Sequence, residues 1–170
     1  ANSSGQRQQL QAEEGMKDPI ERIEWVPAKD LKANDWNPNR VFTPELRLLE
    51  FNLLKHGWIQ PILINTGGMI IDGFHRWRLS QDSDAVKDRY AGHVPVVRLD
   101  IPDDQAMALT VRINRAKGQH AAVHMHALVA RLIGEHCWSR ERVAKEIDAT
   151  LDEVDTLNTA GIFELKGVKN

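Results

Sequence analysis

Met69-Ile70-Ile71-Asp72-Gly73-Phe74-His75-Arg76-Trp77-Arg78 decides how this chain folds. The apolar run stops at Asp72-Gly73, and a cationic run follows at once. That order predicts a short buried strand, a tight glycine turn and the first turn of a helix. A helix opening presents backbone N–H groups without intrahelical partners, together with the positive end of the helix dipole. Gly73 lets a ligand come close to the backbone, and His75 and Arg76 add side-chain donors at the same place. Such a site favours an anion, phosphate above all. The same residues also fit a plain β–α turn with its basic side chains in water. Local physics leaves both readings open.

Upstream of the box, Thr43-Pro44-Glu45 is a helix start, with Thr43 as N-cap and Pro44 at the first helical position. Leu46, Leu49, Leu53 and Leu54 form its buried stripe, and Gly57 stops it. Pro61-Ile62-Leu63-Ile64 is apolar throughout and predicts a strand covered on both faces. Asn65-Thr66-Gly67-Gly68 then turns the chain into Met69-Ile70-Ile71 as a hairpin. Further upstream, Ile23-Glu24-Trp25-Val26 alternates as a strand that Pro27 closes, and residues 31–40 form a turn-rich loop containing Asn37-Pro38. Residues 1–19 are polar and predict a disordered arm.

Downstream, the box helix is expected from Phe74 to Ser80 with Trp77 buried beneath it, and the mostly polar residues 82–92 cross to a strand from Val94 to Leu99. Asp103 or Asp104 caps the next helix, whose apolar face is Ala106, Leu109 and Ile113. That helix leads into Asn114-Arg115-Ala116-Lys117-Gly118-Gln119-His120, the second candidate for ligand contact. From Ala121 the pattern is helical: Val123, Leu128, Leu132 and Ile133 on one helix, then Val143, Ala144 and Ile147 on a short helix capped by Ser139. Thr150-Leu151-Asp152-Glu153 is a capping box for a last helix, which Gly161 is expected to close. The two final helices have a helix-turn-helix outline.

Bulk properties bound the function. The 170 residues, 42% of them hydrophobic, suit one compact domain with a helical appendage. A net charge of −2 gives no general nucleic-acid footprint, so a basic binding surface would have to be local. Cys137 is the sole cysteine, which rules out an internal disulfide and suits a reducing cytoplasm. No apolar run approaches a membrane span and no signal-peptide pattern opens the chain, so no membrane partner is expected.

The motifs Gly57-Trp58-Ile59-Gln60-Pro61-Ile62, Asp72-Gly73-Phe74-His75-Arg76 and Arg112-Ile113-Asn114-Arg115 follow one another in an order and spacing that resembles the ParB/sulfiredoxin superfamily. The resemblance covers roughly residues 23–118 and rests on the order of the motifs more than on any one alone. It implies an α/β fold, a small mixed sheet flanked by helices, followed by a helical, helix-turn-helix-like C-terminal part. It also implies a division into the arm, a nucleotide-binding domain over residues 20–118 and a helical subdomain over residues 119–170. The nucleotide would be ATP or CTP, or the diphosphate, with Mg²⁺ bridging phosphate oxygens. Its contacts would be Gln60, Gly73, Phe74, His75, Arg76, Asn114, Arg115 and His120.

Departures from the family pattern are specific. Partition proteins have G-E-R-R where this chain has Gly73-Phe74-His75-Arg76, and E-N-x-x-R where it has Ile113-Asn114-Arg115-Ala116-Lys117. The glutamate of each motif is missing. Sulfiredoxins have G-C-H-R, and Phe74 stands at the place of their catalytic cysteine, which argues against sulfinic-acid reduction. Archaeal free-serine kinases carry D-G-H-H-R, close to Asp72-Gly73-Phe74-His75-Arg76. The closest resemblance is to small prophage- and plasmid-associated ParB-like proteins.

These residues predict a cytoplasmic, ParB-like nucleotide-binding regulatory module linked to a phage or plasmid. The alternative is an active enzyme on the same scaffold, an NTPase, a small-molecule kinase or a DNase, with Asp72 as its catalytic carboxylate. The last helix carries Asp152, Glu153 and Asp155, which disfavours base reading, so DNA would bind weakly. A packing or protein-partner role suits the C-terminal helices better, and a homodimer is a further expectation. His120, His124 and His126 have no third ligand at useful spacing, so no metal site is assigned to them.

Overall fold

The computed structural model describes residues 18–34, 43–116 and 122–165. Its sheet has four strands: β1 (Ile23–Pro27), β2 (Ile62–Asn65), β3 (Ile70–Asp72) and β4 (His93–Leu99). Their spatial order is β1-β4-β2-β3, with β1 antiparallel to β4, β4 parallel to β2, and β2 antiparallel to β3. The described helices are α1 (Thr43–His56), α2 (Phe74–Asp82), α3 (Asp84–Tyr90), α4 (Asp103–Ala116), α5 (Ala122–Gly134), α6 (Arg140–Ile147) and α7 (Leu151–Leu165). The small mixed sheet flanked by helices, with a helical part after it, is the fold the sequence predicts.

Two cores organise these elements. One lies on a face of the sheet, where Ile62, Ile64, Ile70, Val94 and Val96 pack with Phe74, Ala28 and Leu31. The other is all-helical: Leu128, Val129 and Leu132 of α5 meet Val143 and Ile147 of α6 and Val154 and Leu157 of α7. Helix α4 belongs to both regions. Its Met107, Ala108 and Val111 enter the helical core. Its Thr110 hydroxyl donates within 3.3 Å of the Ile71 carbonyl on β3 and 3.0 Å of the Ala106 carbonyl.

Several expectations change at the level of single elements. Of the arm expected over residues 1–19, the described part, Asp18 and Pro19, is ordered, and Pro19–Glu21 forms a 3-10 turn. The crossing segment contains helix α3, whose N-cap Ser83 accepts a hydrogen bond from the Val86 N–H at 3.3 Å. Only Val86 of that helix is buried, so no hydrophobic stripe marks it in the sequence. Helix α7 runs past Gly161 to Leu165, where the glycine alone suggested a stop. Asp103 and Asp104 lie in the first turn of α4, where Asp103 accepts from Asn65 Nδ2 at 2.7 Å and Asp104 from Trp138 Nε1 at 2.9 Å. The buried face of α4 runs through Ala106, Met107, Thr110 and Val111, with Leu109 and Ile113 half-buried, because the helix is clasped from two sides. Trp77 is half-buried rather than covered, and its Nε1 donates to the Ala28 carbonyl at 2.8 Å. The Asn37-Pro38 element lies outside the described residues.

The turn from β3 into α2 fixes everything that follows. Gly73 precedes the helix at φ 95° and ψ 17°, a left-handed conformation. A Cβ built there would stand 2.9 Å from Arg76 Nη2 and 3.3 Å from the Ile62 Cα. Conformation and close approach therefore both require glycine. Gly73→Ala is expected to cost about 1–3 kcal/mol of stability. The check is the urea midpoint of the variant, and a midpoint equal to wild type contradicts this account of the turn.

Candidate functional site

Strand β3 ends at Asp72, Gly73 turns the chain, and α2 begins at Phe74. The N–H groups of Phe74, His75 and Arg76 open the helix without acceptors inside it. Trp77 N–H closes the first turn on the Gly73 carbonyl at 3.0 Å.

Arg76 is the organised side chain of this turn. Its Nη1 donates to Gln60 Oε1 at 2.7 Å and to the Gln60 carbonyl at 3.2 Å. Its Nη2 stands 3.7 Å from Asp72 Oδ2. The guanidinium lies directly over the hydrogen face of Gly73, and the side chain is only 12% exposed. Burial pushes Arg76 below the ordinary guanidinium value, and the Asp72 carboxylate opposes that push. Gln60, from the segment before β2, thus holds a cation against the opening of α2. The sequence reading pairs these same residues, Gln60, Gly73 and Arg76, and the structure brings them together.

His75 keeps an exposed surface and meets Phe74 edge-to-face at 5.8 Å. Desolvation, then Arg78, pulls its imidazole below 6.5; Asp72 opposes and Arg76 adds a smaller push in the same direction. Near neutral pH the ring is therefore uncharged, and it offers one N–H. Phe74 is buried, 5% exposed, and belongs to the sheet core. Its side chain is a packing group; the contribution this position offers a ligand is its backbone N–H.

The far side of the predicted site is arranged differently. Arg115 Nη1 donates to Glu153 Oε1 at 2.6 Å, and Nη2 donates to the Asp148 carbonyl at 3.2 Å. Arg112, one turn earlier, pairs with Glu146. These cations fasten the last turn of α4 to α6 and α7, and neither of Arg115's hydrogen bonds reaches Gln60 or Gly73. Asn114 is half-buried on the same turn. His120 lies outside the described residues. His126 is half-buried, and the described residues contain no group of three potential metal ligands.

Two features near the box have no counterpart in the sequence reading. Asn34 is 3% exposed; its Nδ2 donates to the Ile70 carbonyl at 2.5 Å. Among the described residues its buried Oδ1 has no partner. A buried amide that props a strand cannot be told from loop asparagines by pattern. On the flank of α2 away from Arg76, Ala33, Phe74, Trp77, Arg78, Gln81 and Asp82 line a cavity of about 350 Å³. Those α2 positions share one helical stripe at i, i+3, i+4, i+7 and i+8, whereas Arg76 falls on the opposite side. The cavity and the Arg76 guanidinium therefore lie on opposite sides of α2, and Phe74 borders both.

No protein-family model matches the chain. The uncharacterized protein YbdM of Escherichia coli K12 is 35% identical over 141 residues, covering 81% of this chain and 67% of YbdM. The nucleoid occlusion protein of Bacillus licheniformis is 26% identical over 75% of this chain and 45% of its own length. A probable chromosome-partitioning protein ParB of Rickettsia bellii is 28% identical over 59% of this chain and 34% of its own length. The chain thus spans half or less of the partition and occlusion proteins it matches. Among solved structures, a C-terminally truncated ParB of Caulobacter crescentus in complex with CTP-γ-S is 19% identical. It covers 81% of this chain at a TM-score of 0.44. Its sequence relatives thus include occlusion and partition proteins, and the chain belongs to the ParB-like superfamily.

Proposed function

We propose that this chain is a nucleotide-binding regulatory module of the ParB type, taking a nucleoside di- or triphosphate at the opening of α2. The observation that carries the reading is the Arg76 guanidinium, its side chain 12% exposed and held by Gln60 at 2.7 Å beside a helix N-terminus. A pre-oriented guanidinium with free N–H groups next to it is suited to a tetrahedral dianion, because little order remains to be imposed on binding. His75, uncharged near neutral pH, adds one donor. ATP and CTP are the nucleotides to test first, with Mg²⁺ as the bridging ion. A phage- or plasmid-linked setting rests on the sequence resemblance.

Binding and turnover make different demands. Holding phosphates needs donors and positive charge, whereas hydrolysis also needs an aligned nucleophile and a group to accept its proton. Asp72 is the carboxylate nearest the box, and it stands as the counter-ion of Arg76 at 3.7 Å. That engagement favours a binding module over an NTPase, kinase or nuclease. Arg115 and Arg112 tie α4 to the last two helices, so the nucleotide domain and the helical part share one rigid element through which occupancy can be felt. The helical part then serves a protein partner or a second copy of the chain.

Duplex DNA is a secondary ligand in this reading. Two acids of α7 pair with nearby cations, Asp155 with Arg140 at 2.7 Å and Glu153 with Arg115 at 2.6 Å. These pairs engage two of the cations that phosphates would need, and the acids of α7 repel the rest of a phosphate backbone. DNA affinity should therefore be weak and should fall steeply from low to physiological salt in a fluorescence anisotropy titration. Tight, sequence-selective, salt-resistant binding would contradict this view of α6 and α7.

For the central claim, Arg76→Ala is expected to weaken ATP or CTP binding by about 2–4 kcal/mol with the fold intact. Calorimetric titration checks the loss, and phosphate release at saturating nucleotide checks that wild-type turnover is slow or absent. Unchanged affinity in the variant would sink the assignment. Fast turnover abolished by Asp72→Asn would make the protein an enzyme.

A further inference from the structure

We propose that the open edge of β1 is the surface through which two copies of this chain associate, their sheets joining antiparallel about a two-fold axis at Trp25. β1 and the box-bearing β3 are opposite edges of the sheet, so this interface and the nucleotide reading stand independently.

Hydrogen bonding along β1 shows which of its backbone groups point outward. Opposite residues of an antiparallel pair alternate between exchanging hydrogen bonds and exchanging none. The Ala28 N–H donates to the Gly92 carbonyl at 2.9 Å, one step beyond the pairing of Pro27 with His93. Counting back in twos, Val26 and Glu24 turn their backbone groups toward β4. Ile23 and Trp25 therefore turn theirs away from it, Trp25 lying opposite Pro95, which has no N–H to offer. Among the described residues no strand pairs with this outer line. The side chains there are apolar and open to solvent, Ile23 at 48% and Trp25 at 53% exposure, with Ile20 exposed just before them. Trp25 is pre-positioned, stacked on Tyr90 at 5.9 Å. Such an edge is a template for a further strand unless charge, proline or a bulge blunts it. Here Glu24 is drawn to Arg98 at 3.5 Å, and Pro27 stands at the end of the strand.

A second copy suits the edge because the edge is self-complementary. With the axis at Trp25, the two Trp25 residues exchange N–H to carbonyl bonds, and each Ile23 N–H donates to the Pro27 carbonyl of the other copy. Glu24 then lies opposite Val26. Sliding the axis to Glu24 would set two carboxylates directly opposite each other, which destabilises strand pairing. The flanking charges agree. Glu21 and Arg22 precede the strand, Lys29 and Asp30 follow it, and all four are exposed. Antiparallel association brings Glu21 toward Lys29 and Arg22 toward Asp30 of the other copy, opposite signs in both cases. A few strand bonds and two indoles make a small interface, so association belongs in the micromolar range.

Sedimentation equilibrium of the full chain, from low micromolar to millimolar concentration, measures the association, and amide exchange of ¹⁵N-labelled protein locates it. A dimer is expected whose formation slows exchange at Ile23 and Trp25, while the Glu24 amide is slow throughout. Trp25→Lys and Trp25→Glu are each expected to weaken self-association at least about tenfold, with thermal melts confirming that they fold. Mixed together, the two variants are expected to associate again, because the axis sets the introduced ammonium against the introduced carboxylate. A monomer with fast exchange at Trp25 would overturn the proposal. So would a monomer whose Trp25 amide is protected at every concentration, since the edge is then covered from within the chain. A dimer indifferent to both variants would put the interface elsewhere and sink this one. Should neither variant fold, the concentration dependence of the Ile23 and Trp25 amides in the unaltered chain decides alone.

Discussion

The structure depends on the absence of one methyl group. Arg76 reaches Gln60 only because its guanidinium passes over Gly73, where a Cβ would lie 2.9 Å from Nη2. The same Cβ would also stand 3.3 Å from the Ile62 Cα on β2, so its absence lets the turn sit close against that strand. One residue therefore sets the angle of the box helix, its distance from the neighbouring strand and the position of its cation. The left-handed φ of 95° at Gly73 is what turns the strand end into a helix start without a connecting loop.

Around that turn the molecule is built to keep α2 still. Phe74 anchors its first residue in the sheet core, and Trp77 ties its flank to the Ala28 carbonyl. On the other side of the sheet, Thr110 of α4 holds the Ile71 carbonyl one residue before Asp72. Helix α4 in turn passes into the helical core and is pinned there by Arg112 and Arg115. A change at the box has a continuous path of packed and hydrogen-bonded groups to α6 and α7.

Much of this was legible in the sequence, for physical reasons that differ by residue. A glycine between an apolar run and a cationic run has few other uses, so the strand, turn and box helix were readable, whereas Gln60 came from the resemblance of Gly57-Trp58-Ile59-Gln60-Pro61-Ile62 to the family motif. The amide of Asn34 and the engagement of Arg115 were not readable, because long-range partners leave no local pattern: Glu153 lies 38 residues from Arg115. Helix α3 escaped notice because a seven-residue helix with a single buried side chain shows no periodicity, although Ser83-Asp84 carried a capping signal. Gly161 misled in the opposite direction, since a glycine inside a helix costs only about 1 kcal/mol and is a weak stop by itself.

The account stands or falls on where a phosphate lands. Backbone amide resonances of ¹⁵N-labelled protein, followed by NMR during titration with CTP and Mg²⁺, report this directly. The account predicts that the largest shifts fall on Gly73, Phe74, His75 and Arg76, with Gln60 next, and that Arg140–Ile147 moves later or less. Saturating nucleotide that leaves residues 73–76 unmoved, or shifts centred on α6 and α7, would contradict it.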